Sequence, residues 1–344
     1  MSLYVAGENG LSTMTGSPTG GRVIQPDVTF GGLYVPAASS HDVALTLQSG
    51  ASAQLALLST DGSFRTVFEN EGKTDYSVAW SSEGMLAFGY SSARGQGIRI
   101  VGSDGVVKDV GCSASSRALG WASADRLVVG NEDNNYVVAT NGCTTISRVD
   151  ARKMHEMAFN PMHPTVAYIL RELDYDRKAR QYVPDSSLYV AGVDGSNPSL
   201  IVGDRYKPHR PTWSPDGMEI AFDARIPDQP RRRLISIYDA EGGSAAFLNP
   251  SALKTSVSEW DAHWSPSGTN IAYLQKTGSD SPTVTIRPMN GSFATAVGES
   301  GERFARWIDD SLLVVSNGKR ERIVSVDGKT SVDGPEGATI LWGE

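Results

Sequence analysis

The stretch PTWSPDGMEIAFDA (211–224) sets an aromatic residue, a Ser-Pro-Asp-Gly turn and a run of apolar and small residues in immediate succession. Pro215 presets φ for the second position of a reverse turn, and Asp216 and Gly217 supply the polar and permissive positions that let the chain double back. The EIAF that follows alternates and favours β structure, so it returns as a strand antiparallel to the first. One such unit would be only a surface hairpin, but this one recurs. AHWSPSGTNIAYLQ (262–275) is its nearest copy, and SVAWSSEGMLAFGY (77–90), EMAFNPMHPTVAYIL (156–170), LGWASADRLVVGN (119–131) and FARWIDDSLLVVSN (304–317) keep the order of aromatic anchor, turn and β-rich run. Self-similarity of this kind marks a repeat architecture.

A second hairpin alternates with the first. Its turns are Asn9-Gly10, Asp61-Gly62, Asp104-Gly105, Asn141-Gly142, Asp194-Gly195, Glu241-Gly242, Asn290-Gly291 and Asp327-Gly328, at intervals of about 37 to 53 residues, near the period of four-stranded propeller blades. Each repeat therefore has four antiparallel strands, A to D, with the anchor on A. Radial packing of such sheets buries both faces and protects their edges. The expected fold is an all-β propeller occupying 1–344 as one domain, with seven blades at about 27–70, 75–112, 116–149, 153–203, 206–251, 256–300 and 301–334. The terminal stretches 1–16 and 338–344 are expected to close the ring. The tail reads as a further strand A and the N-terminal hairpin as a C–D pair, and their union would make an eighth, composite blade.

Composition agrees with a turn-rich, well-packed protein: 344 residues, 40% hydrophobic, 36 Gly and 17 Pro. The net charge of −8, from 31 basic and 39 acidic residues, supplies no general positive field for phosphate backbones and argues against nucleic acid as a partner. No apolar run approaches the roughly 20 residues that span a bilayer, and no basic region followed by an apolar stretch opens the chain. Cys112 and Cys143, the only cysteines, are too few for a structural zinc site. In the expected strand register Cys112 ends an outer strand and Cys143 begins one, which places them at opposite ends of adjacent blades and argues against a disulfide.

The WSPDGxxIAF and WSPSGxxIAY stretches resemble the repeats of TolB-like, or WD40-like "PD40", β-propellers, sharply at 211–224 and 262–275. That resemblance implies a propeller. For function it implies several things, because similar repeats occur in periplasmic TolB, in the propeller halves of prolyl-oligopeptidase-like proteases, in oligogalacturonate lyases and in envelope lipoproteins of the LpqB type. Fold does not choose among them.

Ligands of a propeller usually meet the face where the D–A and B–C connections cluster. Four residues before each anchor lies the same face of strand A, two pleats nearer that end. The positions are Tyr76, Arg117, His155, His209, Trp260 and Arg303, a polar and aromatic rim where pure packing would place Val, Ile and Leu. Two B–C connections break the symmetry: RELDYDRKARQYVPDSS (171–187) is long and charged, and ARIPDQPRRRL (224–234) carries Arg231, Arg232 and Arg233. Both are expected to be functional loops at the rim.

No Gly-x-Ser-x-Gly elbow, Walker A pattern or His-Glu-x-x-His is present. The sequence thus reads as a non-enzymatic binding propeller of the bacterial cell envelope, a monomer without a cofactor, holding a protein segment or a polar or acidic ligand at the rim. The alternative is a metal-dependent lyase or hydrolase on acidic oligosaccharides. In that case His155 and His209, with Glu156 or Asp261, would hold a divalent ion, and the three arginines would pair with carboxylates. A third reading is the sensor propeller of a longer LpqB-like lipoprotein. Localisation is expected to be periplasmic or envelope, with the cytoplasm as the alternative.

Overall fold

The Ser-Pro-Asp-Gly turn forms as its residues dictate. The Gly217 amide donates to the Ser214 carbonyl at 2.9 Å with Gly217 at φ +72°, and Ser214 Oγ accepts the Glu219 amide at 2.9 Å. Ser265 and Gly268 repeat the geometry, as do Ser81 and Gly84. The computed structural model describes the chain apart from residues 1, 8–9, 16–22, 26–27, 37–41, 60–62, 72–73, 82, 103, 132–133, 151–153, 177–180, 228, 337 and 344. The expected turns at Asn9 and Asp61-Gly62 lie wholly or partly outside the described residues.

Seven four-stranded antiparallel blades follow in chain order. The inner strands A are Thr29–Pro36, Thr74–Trp80, Arg117–Ser123, Met154–Phe159, His209–Trp213, Val257–Trp264 and Arg303–Trp307. An eighth four-stranded sheet joins the termini, meeting the condition set for a composite blade: Thr339–Gly343 pairs with Ser2–Gly7, which pairs with Gly10–Thr15, which pairs with Val23–Gln25. The tail is strand A, as expected. The hairpin supplies B and C rather than C and D, because Val23–Gln25 adds the outer strand. Closure is held by the side chains of Arg306 and Glu321 in blade 7. They form an ion pair, and between them they bond the carbonyl and amide of Ile340.

The core lies between the sheets. Each repeat's strand B has a buried and mainly apolar segment, as in Leu86–Phe88, Leu127–Val129 and Ile271–Leu274. The anchors join one blade to the next. The indole Nε1 of Trp80, Trp121, Trp213, Trp264 and Trp307 donates to the carbonyl of Val35, Ala79, Ala158, Thr212 and His263 respectively, at 2.9 to 3.2 Å. In four of these five bonds the acceptor stands one residue before the previous blade's anchor. Blade 4 has Phe159 instead. Its ring lies against the bare Cα of Gly120, where an added Cβ would come within 2.6 Å of the ring.

Two expectations are corrected by the register. The described part of the charged stretch 171–187 is strand and not loop: Thr165–Asp176 and Gln181–Gly192 remain paired from Thr165↔Gly192 to Asp176↔Gln181, a tall B–C hairpin. Blade 5 behaves likewise, with Glu219–Ile226 paired to Gln229–Asp239. Cys112 and Cys143 are disulfide-bonded, with Cα atoms 5.2 Å apart. The argument from strand register neglected twist. At roughly 20–25° per strand, the outer strands turn far from the inner ones, so Cys112, past the end of strand D in blade 2, meets the C–D turn of blade 3.

Candidate functional site

The rim positions depend on whether strand A is regular. In blade 2 it is: Tyr76 faces Tyr90 and Trp80 faces Leu86, four residues apart, so both point the same way. In blades 3 to 7 a bulge intervenes. Arg117, His155, His209, Trp260 and Arg303 pair with Gly130, Ile169, Asp223, Leu274 and Ser316, each three residues from the partner of its anchor. An odd spacing means opposite faces, so the expectation that these five share the anchor's face is corrected. A β-bulge adds one residue and inverts the parity beyond it.

The bulges of blades 4, 5 and 6 are alike in one further respect. Glu156, Arg210 and Asp261, each three residues before its anchor, adopt left-handed backbone conformations with φ of 49°, 50° and 64°. Three charged, non-glycine residues thus stand at equivalent places in adjacent blades, and they are linked. Glu156 accepts the Arg210 amide at 2.6 Å, pairs with Arg171 from the tall hairpin, and lies 3.4 Å from His209 Nδ1. The Arg210 guanidinium reaches Asp223 at 3.4 Å and Asp261 at 3.7 Å. Asp223 accepts the Asp261 amide at 2.9 Å, and His263 Nε2 stands 3.6 Å from Asp261 and stacks on Phe304 of blade 7 at 4.2 Å.

The carboxylates differ because their surroundings do. Asp223 is completely buried, and burial raises its pKa to about 6, although the Asp261 amide, Arg210 and Arg233 pull the other way. Burial also acts upward on Glu156, but His209, the Arg210 amide and Arg171 outweigh it and hold Glu156 at about 2. Asp261 is lowered, chiefly by His263 and further by Arg210 and Arg303.

Beside this network an open cleft of about 680 Å³ is lined by Arg210, Arg231, Arg232, Arg233, Lys276 and Trp260, with Ser256, Ser258 and Gly278 completing it. Arg232 is fixed by the backbone, donating to the carbonyls of Val257 at 2.7 and 3.1 Å and Ala252 at 2.8 Å. Arg233 lies 3.9 Å from Asp223.

The structure thus places Trp260 and the three arginines around one cleft and His209 against Glu156 in the network beside it, while Arg303 bears on that network only through its charge on Asp261. It places Tyr76 elsewhere: its hydroxyl donates to the Ala53 carbonyl at 2.9 Å, its ring meets Phe68 edge-on, and burial raises its pKa to about 12. Arg117 is exposed and bonds the Asn131 carbonyl in blade 3. His155 is half-buried on strand A of blade 4. Among the described residues no group of three or more His, Cys, Asp or Glu is arranged to hold a metal ion, and His209 is instead paired with Glu156. Sequence reasoning missed Arg210, Asp223 and Lys276. Asp223 carried a signal, a carboxylate on the inner alternation of EIAFDARI; Arg210 carried none, because its exposure depends on the bulge.

No protein-family model matches this sequence, and no curated protein matches it. Solved structures do. A puromycin-hydrolyzing peptidase of Mycobacterium tuberculosis is 13% identical with a TM-score of 0.58, over 90% of this chain and 53% of that one. A eukaryotic initiation factor is 11% identical with a TM-score of 0.57, over 97% and 96%. TolB from Acinetobacter baumannii is 14% identical with a TM-score of 0.48, over 90% and 80%. The chain spans about half the length of the peptidase. Likeness at such identities is a likeness of fold: the chain is a β-propeller, and the TolB-like character read from its repeats is a character of architecture.

Proposed function

We propose that this propeller is a binding module that holds an extended protein segment across the D–A and B–C face of blades 4 to 6. The observation that carries the reading is the series of left-handed bulges at Glu156, Arg210 and Asp261. A non-glycine residue in that region costs about 1–3 kcal/mol, and such strain gathers where function requires it. The bulges spread charge along one face beside an open cleft, a form suited to a chain lying on the surface. The disulfide supports an oxidising, extracytoplasmic setting, since such bonds persist there and are rare in the cytosol.

Selection from a displayed library of random peptides against the intact protein tests the reading. Peptides should be enriched that no longer bind the His209→Ala or Trp260→Ala variants. His209→Ala removes a partner of Glu156 and should cost about 1 kcal/mol, the net value of one hydrogen bond, so the variant should remain folded. Failure to enrich any peptide, or equal binding by both variants, would exclude this face. The acidic-saccharide lyase reading makes a different demand: metal should co-purify with the protein, and EDTA should lower its melting temperature.

A further inference from the structure

We infer that the cleft between blades 5 and 6 is an acid-reading subsite, which takes the carboxylates of an aspartate- or glutamate-rich stretch of the bound segment. The inference rests on the binding reading above and adds the chemistry of the ligand.

Five cationic side chains line the cleft on a protein whose net charge is −8. Low-dielectric walls focus such a local field, so an anion is drawn to the cleft against the overall charge. The cations have distinct tasks. Arg232 is anchored to three backbone contacts with Val257 and Ala252 and forms a rigid wall. Arg210 and Arg233 are backed by buried Asp223, which orients them from behind. Arg231 and Lys276 have no ion-pair partner among the described residues, and both line the cleft, from strand C of blade 5 and strand B of blade 6. Burial is the chief cause of the depressed pKa of Arg233, opposed by Asp223 and reinforced more weakly by Arg225 and Arg210.

A peptide, rather than a compact anion, is favoured by the spread of the cations. The ladder of blade 5 shifts register opposite Arg225 and Ile226, so that Arg231, Arg232 and Arg233 all reach the cleft, and Lys276 joins them from strand B of blade 6. Guanidinium forks match carboxylates in bidentate fashion. The indole of Trp260 beside them supplies an apolar floor for the stems of the acidic side chains.

The test is calorimetric titration of the intact protein with an end-blocked hexapeptide of aspartate, with hexaserine as the neutral control and trigalacturonate as the saccharide arm. Hexaaspartate should bind at least tenfold more tightly than hexaserine, and its affinity should fall with added salt. The Arg231→Ala/Lys276→Ala pair should weaken it at least tenfold with an unchanged melting temperature; Arg231→Glu serves as a second variant should the pair prove unstable. Undiminished binding by folded variants would place the anion elsewhere and overturn the inference. If hexaserine binds as well as hexaaspartate, acid reading falls while the peptide-binding function stands. Binding of trigalacturonate alone, or of none of the three, would overturn both.

Discussion

At the scale of single residues, the anchors serve two purposes that one substitution can separate. Trp213 is buried between blades 4 and 5 and also donates its indole N–H to the Ala158 carbonyl. Trp213→Phe keeps most of the apolar contact and should cost about 1 kcal/mol, the net value of one hydrogen bond. Trp213→Ala empties the site and should cost about 3–5 kcal/mol. Urea denaturation of both variants checks the pair of values; equal losses would show that the hydrogen bond, not the packing, is dominant. Asp223 makes a second prediction. Its ordinary pKa of 3.8 is raised to about 6 in the folded chain, so between those values the native state holds more protons than the unfolded one, and stability falls as pH rises through that window. Glu156, held at about 2, acts in the opposite sense only below its ordinary 4.5. From pH 5 to 7, therefore, Asp223→Asn should flatten the decline. The two-unit gap is worth about 3 kcal/mol over the whole window from 3.8 to 6, of which roughly half falls above pH 5. Chemical denaturation across that range, with wild type and variant compared, measures the slope.

At the scale of elements, the disulfide ties blade 2 to blade 3 across 31 residues. Closing a loop of that length restricts the unfolded chain by about 3–4 kcal/mol in the chain-entropy account. Replacing both cysteines by serine should lower the melting temperature accordingly, and reduction of the wild type should reproduce the shift. A melt indifferent to reductant would mean that the bond contributes nothing. The hairpins of blades 4 and 5 illustrate how strand pairing overrides composition. A charged stretch such as 171–187 suggests a solvated loop, but the backbone of Arg171–Asp176 and Gln181–Ser187 finds partners in an antiparallel ladder that continues outward.

At the scale of the molecule, the ring is closed by strands from both ends of the chain, with Ile340 and Val5 buried against Val314 and Ile323 of blade 7. Removing residues 1–16 would strip strands B and C from the composite sheet and leave Thr339–Gly343 without its neighbour. Exposed strand edges and lost burial should together lower both melting temperature and solubility. A truncated chain that melts unchanged would show that closure does not depend on the hairpin.

The sequence alone determined the repeat, and with it the fold, because a turn such as Ser214–Gly217 is local chemistry. Pro215, Asp216 and Gly217 specify it through a few neighbouring dihedrals, and its recurrence leaves radial stacking as the way to bury both faces of every sheet. The sequence also singled out His209, Trp260 and Arg231 to Arg233 as residues out of keeping with packing. It did not disclose how they are arranged. Parity along strand A was read from a regular pleat, and the bulges at Glu156, Arg210 and Asp261 inverted it. The disulfide was misjudged for a similar reason, since twist accumulates over four strands and no single strand records it. Asp223, buried behind Arg210 and Arg233, gains its role from the adjoining blade, whose Asp261 amide it accepts. Local turns need only neighbours in sequence; bulges, twist and charge pairing between blades depend on partners some 40 to 50 residues away along the chain, and only the assembled ring decides them.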